Sequence, residues 1–212
     1  MLDNALYIFL SALESIALLV FMFTIFRFNP FSYSLQIVFF SFFSALLSFV
    51  LKTEFQIEQY LIPLMLLPFL IIYLFSTLNI SILYSIIVTG ISFISFALCQ
   101  SILVSILDLI GVISIGKLHL ISIDMFINFS TTFIFFMLIS HFLYYKGYGF
   151  TFDMNKFKFK GEEIIILTLL FFSTVVLLIS LYINNSWLAI VLLFIPAAFL
   201  IYFSIKKEMR DI

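Results

Sequence analysis

Charge is scarce in this chain. Of 212 residues only 10 are Lys or Arg and 11 are Asp or Glu, against 65% hydrophobic residues and a mean hydropathy of +1.29. Soluble globules carry roughly 45 to 50% apolar residues, so this shortage excludes a water-soluble fold and makes the lipid bilayer the solvent. The formal net charge of −1 gives no electrostatic attraction toward nucleic acid or an acidic substrate. Cysteine is represented by Cys99 alone, which excludes a disulfide framework and a thiolate metal site within one chain; it reads as a small membrane-buried side chain. Glycine occurs six times and proline four. So few glycines argue modestly against helices that slide past one another, because close helix approach commonly uses small residues.

Catalytic motifs are missing as well. There is no His-Glu-x-x-His, no G-x-S-x-G and no Walker A sequence. The Glu162 and Glu163 pair opens an apolar run as in membrane CAAX-type proteases, but the Arg that should follow is replaced by "IIILTLLFF". AgrB-type peptide-processing endopeptidases need a His and a Cys close in sequence, whereas His119 follows Cys99 by twenty residues across a loop. The chain is therefore expected not to be an enzyme, and no cofactor is implied.

What remains is a series of long apolar runs. A transmembrane helix needs about 20 largely apolar residues, with charges and turn residues marking the breaks. Runs at 5–26, 32–51, 60–77, 81–107, 119–143, 163–183 and 187–205 predict a single all-α, polytopic transmembrane helix bundle over 1–212 with seven spans, or six if the third run fails. That run holds Pro63 and Pro68, which kink a span unless neighbouring groups satisfy the freed carbonyls. The joints "TLNIS" (77–81) and "NNS" (184–186) are short enough to predict tight antiparallel hairpins. The opening "MLDN" has no basic residue and no cleavage site follows, so the first run is expected to be retained. With the N-terminus outside, eight of the ten basic residues fall on cytoplasmic segments and only Lys52 and Lys117 lie outside, as the positive-inside rule requires. This places the C-terminus in the cytoplasm and the protein in a cell membrane. The connection 144–163 interleaves Lys156, Lys158 and Lys160 with Phe, which suits an interfacial anchor on anionic headgroups.

Polar residues inside the runs are the candidate site. Glu14 lies nine residues into the first span, Gln100 about seven from the outer end of the fourth, and Asp124 and Asn128 five and nine into the fifth. At 1.5 Å per residue these share one layer roughly 8 to 14 Å below the outer surface, and Asp124 and Asn128, four apart, share a helix face. Such a layer could be a ligand or partner site, a proton or ion relay, or interhelical fastening worth about 0.6 kcal/mol per bond. No Lys or Arg lies deep in any span to neutralise Glu14, so it is expected either to be protonated or to find its counterpart in a cationic ligand or a basic residue of a partner. Gln36 and His141 form a second polar level near the inner ends, where hydration accounts for them, and His119 sits at the outer face.

The stretch "LESIALLVFMFTIFRFNPFSYSLQIVFFSFFSALLSFVLK" (13–52), followed by "YLIPLMLLPFLIIYLFSTLNISILYSIIVTGISFISFALCQSILVSIL" (60–107), resembles the transmembrane sensor region of AgrC-like receptor histidine kinases. The resemblance covers residues 5 to 205 in span pattern: an early Glu, a Pro-containing third span, a Gln late in the fourth. It implies binding of a small peptide from outside and relay to a cytoplasmic module. After Ile205 this chain continues only as "KKEMRDI", without a phosphoacceptor helix or ATP site, so kinase activity is not expected of it. The readings in contention are a stand-alone sensor-like protein for a peptide or small apolar ligand acting through a membrane or cytoplasmic signalling partner, the substrate-binding membrane subunit of a small-solute transporter, and a membrane immunity or assembly protein.

Overall fold

The computed structural model describes residues 2–57, 61–113 and 123–150. Among them all regular structure is helical: α1 (Leu2–Ile25), a 3-10 turn (Pro30–Tyr33), α2 (Ser34–Thr53), α3 (Ile62–Leu78), α4 (Ile82–Leu109) and α5 (Ile123–Lys146). Each helix falls on one of the first five apolar runs with its ends moved by a few residues. The runs at 163–183 and 187–205, the "NNS" joint, His119 and the Lys156–Lys160 stretch lie outside the described residues.

Four segments, Asn4–Ile25, Pro30–Thr53, Ile82–Leu109 and Ile123–Lys146, are long and apolar enough to cross a membrane. α3 is shorter: its 17 residues rise about 26 Å, less than the roughly 30 Å hydrocarbon layer. Pro63 stands in its first turn, where an amide hydrogen would have no partner anyway. Pro68 is interior and leaves the Leu64 carbonyl without its helical donor.

The burial pattern is that of a protein in lipid. On α2 the residues turned outward are Leu35, Val38, Phe39, Phe42, Phe43 and Leu46, with Leu35 83% and Phe39 76% exposed. Its inward face carries Ile37, Ser41, Ser44, Ala45 and Ser48. Water would reverse this order, whereas a bilayer rewards large apolar groups outside and small ones at helix contacts. Two of these serines donate their hydroxyls back to their own helix, Ser44 Oγ to the Ser41 carbonyl and Ser48 Oγ to the Ser44 carbonyl, both at 2.9 Å.

α1 is the centre of the bundle, packing most extensively on α5 and α2 and also on α4, while α3 packs on α4 and α2. The expected hairpin at 77–81 is present: Asn79 is left-handed at the end of α3, and Ser81 caps α4 by accepting from the Tyr84 amide at 3.3 Å. Scarce glycine has a consequence at the other helix ends. α4 and α5 close on left-handed Gly111 and Gly147, but α1 closes on Arg27 (φ 56°) and α2 on Gln56 (φ 51°), where most helices would use glycine. At the end of α1 the Arg27 amide donates to the Thr24 carbonyl at 3.0 Å and the Phe28 amide to the Phe23 carbonyl at 2.8 Å, with the Phe23 and Phe28 rings 6.0 Å apart.

Candidate functional site

α1 and α4 are antiparallel, with Phe21 and Phe96 rings 6.4 Å apart at one level and Glu14 opposite Gln100 two turns further along α1. Gln100 Nε2 donates to Glu14 Oε1 at 2.6 Å, so the first acid of the candidate layer and its amide partner do meet. The bond spans two helices and 86 residues of chain. A neutral amide satisfies one lone pair of the carboxylate without supplying positive charge, and among the described residues no basic side chain pairs with Glu14.

α5 runs parallel to α1. Tyr7 and Leu10 cluster with Met125 and Phe129 near the starts of both helices, and the Phe21 and Phe136 rings meet at 4.9 Å further along. Asn128 stands within the first of those levels, beside Tyr7 and Leu10, and Thr132 falls between the two. Both are buried, and neither Asn128 Oδ1 nor Thr132 Oγ1 has a hydrogen-bond partner among the described residues. Asp124 is half-buried in the first turn of α5, one turn nearer the Tyr7 end than Asn128, where a carboxylate is favoured by the helix dipole. Of the four predicted residues, then, Glu14 and Gln100 are bonded, Asn128 is buried nearer the Tyr7 end, and Asp124 lies one turn closer still to the end of the bundle.

Residues not singled out from the sequence complete the site. Tyr7, Ser11 and Glu14 are spaced i, i+4, i+7 and share one face of α1, a spacing visible in the sequence once Glu14 is taken as the origin. Tyr7 and Ser11 are buried, and Lys52 Nζ sits 4.4 Å above the Tyr7 ring centroid at the mouth of this polar track. On the α2 side the Ser15 and Ser44 hydroxyls bond at 3.0 Å, Ser44 Oγ accepting because its own hydrogen goes to the Ser41 carbonyl. Past Glu14 the track is closed by Phe21, Phe96 and Phe136: the last two stack at 4.0 Å, and Phe21 meets Phe136 edge-on. Polar groups thus lead from the Tyr7 end to Glu14 and stop at an aromatic floor.

Gln36 and His141 are exposed, in keeping with their hydration near the helix ends, and half-buried Cys99 packs beside the aromatic floor as a small apolar group. Among the described residues no three His, Cys, Asp or Glu side chains come together as a metal site would need. Compared with protein families, with curated proteins and with solved structures, the chain matches none.

Proposed function

We propose that this chain is a sensor-like protein of the bacterial cytoplasmic membrane, with seven spans, an external N-terminus and a cytoplasmic C-terminus. In this reading it binds a peptide or small apolar molecule from outside and acts through a partner protein, as a binding component and not a catalyst. The observation that carries the reading is Glu14: an acid halfway along a membrane helix, reached by buried polar groups from the Tyr7 end and held there by one neutral amide. A charged side chain at that depth costs at least about 2.5 kcal/mol on insertion scales, more than one interhelical hydrogen bond of about 0.6 kcal/mol offsets. A ligand with an amino group supplies the missing positive charge, and its apolar remainder suits the surrounding helix faces. Asn128 Oδ1 and Thr132 Oγ1 offer further buried acceptors on α5, between the Tyr7 end and the aromatic floor.

The test is purification of the wild-type protein and Glu14→Gln from native membranes in mild detergent, with mass spectrometry of extracted peptides and small molecules. A species retained by the wild type and lost from folded Glu14→Gln supports the reading. Identical extracts from both proteins refute it, and an ATPase pair with a vitamin-like solute would make the chain a transporter subunit.

A further inference from the structure

The Arg27 end of α1 carries a second unusual arrangement, remote from Glu14. The chain leaving α5 turns at Gly147 and runs back against the end of α1. The Phe150 amide donates to the Ile25 carbonyl at 2.7 Å, using an acceptor that a helix C-terminus ordinarily leaves to water. Arg27 Nη2 donates to the Gly147 carbonyl. The Phe150 ring lies 5.8 Å from that of Phe26. Between these contacts Gly149 is pressed so closely on α1 that a Cβ would meet the Ile25 carbonyl oxygen at 2.7 Å, Arg27 Cγ at 2.8 Å and the Thr24 carbonyl oxygen at 3.1 Å. Residues 147–150 are therefore keyed to the last turn of α1 by two hydrogen bonds, an aromatic contact and a fit that admits only glycine.

We propose that this keyed contact is a coupling joint, through which a displacement of α1 is passed to residues 147–150 beyond the end of α5. α1 is the helix that bears Glu14, and it is bonded to α4 through Gln100 and to α2 through Ser15. From Glu14 to Ile25 is eleven residues of continuous helix, about 17 Å, which moves as a rigid rod. A shift or rotation set by the contacts of the Glu14 level thus arrives at Thr24, Ile25 and Arg27, where residues 147–150 have no slack to absorb it. Arg27 is held left-handed at a backbone cost, and such strained residues persist where the surroundings over-determine them. The joint depends on how α1 is packed and not on what Glu14 binds, so it can fail while the ligand reading stands.

The experiment is amide hydrogen exchange at Phe150 in the full chain in lipid nanodiscs, for the wild type, Gln100→Leu, Gly149→Ala and the double variant. Gln100→Leu releases α1 from α4; Ser15→Ala, which removes the bond to Ser44, replaces it if Gln100→Leu does not fold. The joint predicts a protected Phe150 amide whose exchange changes by about threefold or more when α1 is released, and no further change once Gly149→Ala has opened the contact. An unprotected Phe150 amide in the wild type, exchange that ignores the release of α1, or an effect that persists with Gly149→Ala would each overturn the proposal.

Discussion

Two left-handed residues in identical backbone settings predict substitutions of opposite sign. Arg27 and Gln56 each occupy the position after a helix where glycine is usual, with φ of 56° and 51°. For a residue with a Cβ this conformation costs about 1 to 2 kcal/mol. Glycine removes that cost but loses about 0.5 to 1 kcal/mol to the greater freedom of the unfolded chain. Gln56 is exposed and among the described residues no side-chain hydrogen bond holds it, so Gln56→Gly should stabilise the protein by about 0.5 to 1 kcal/mol. Arg27→Gly gains the same amount and forfeits the bond from its guanidinium to the Gly147 carbonyl. Hydrogen bonds to charged groups contribute about 1.5 to 3 kcal/mol, the lower end applying to an exposed side chain, which leaves a net loss of about 0.5 to 1 kcal/mol. Equilibrium unfolding in mixed detergent micelles resolves the two. If both variants shift the midpoint in the same direction, or Gln56→Gly destabilises, the assignment of backbone strain and of the Arg27 contact is wrong.

Other expectations follow from the packing. Phe136→Ala removes the ring that stacks on Phe96 and meets Phe21; these two aromatic pairs between helices, at about 0.5 to 1.5 kcal/mol each, predict a loss of about 1 to 3 kcal/mol in the same unfolding assay. The figure falls short of a soluble core because the separated helices stay in lipid and lose packing rather than shelter from water. Ser44→Leu places a branched side chain at the buried contact with Ser15, so it should destabilise by about 1 to 3 kcal/mol, while Phe39→Leu on the outward face of the same helix should change the midpoint very little. Gly149→Ala should reduce protection of the Phe150 amide without unfolding the bundle, checked by hydrogen exchange beside far-ultraviolet circular dichroism.

The helices were legible because their signal is one-dimensional: an apolar run bounded by Arg27, Lys52 or an Asn is read without knowing what it packs against. Depth was legible for the same reason, since counting residues from the ends put Glu14 and Gln100 in one layer, and the two are bonded. Rotation about the helix axis was not. Asp124 and Asn128 share a face, yet Asn128 is buried and Asp124 is only half so, and nothing in the spacing alone says which turn of α5 meets α1. The parallel pairing of α1 with α5, the aromatic floor and the serine face of α2 depend on that rotation. The Arg27 end was hidden for another reason: an arginine after a helix reads as an interfacial charge, and only the backbone shows it standing where glycine is expected. Among the described residues some Phe lie on the outward face, as Phe39 and Phe42 do, and others are buried, Phe21, Phe96 and Phe136 in the floor beneath Glu14 and Phe23 and Phe26 in the cluster of α1 with α3 and α4.

The central claim is that Glu14 holds a ligand and does not merely fasten α1 to α4. It is tested most directly by measuring the unfolding midpoint of the wild type and Glu14→Gln, each with and without the small-molecule and peptide fraction extracted from native membranes. The account predicts that without the extract Glu14→Gln is at least as stable as the wild type, because Gln100 can bond to an amide carbonyl as it does to the carboxylate and the cost of an unpaired charge is gone. With the extract only the wild type should gain, by about 2.7 kcal/mol at a hundredfold excess over the dissociation constant. A loss of stability in Glu14→Gln without extract, and no gain in the wild type with it, would show Glu14 to be a structural fastener.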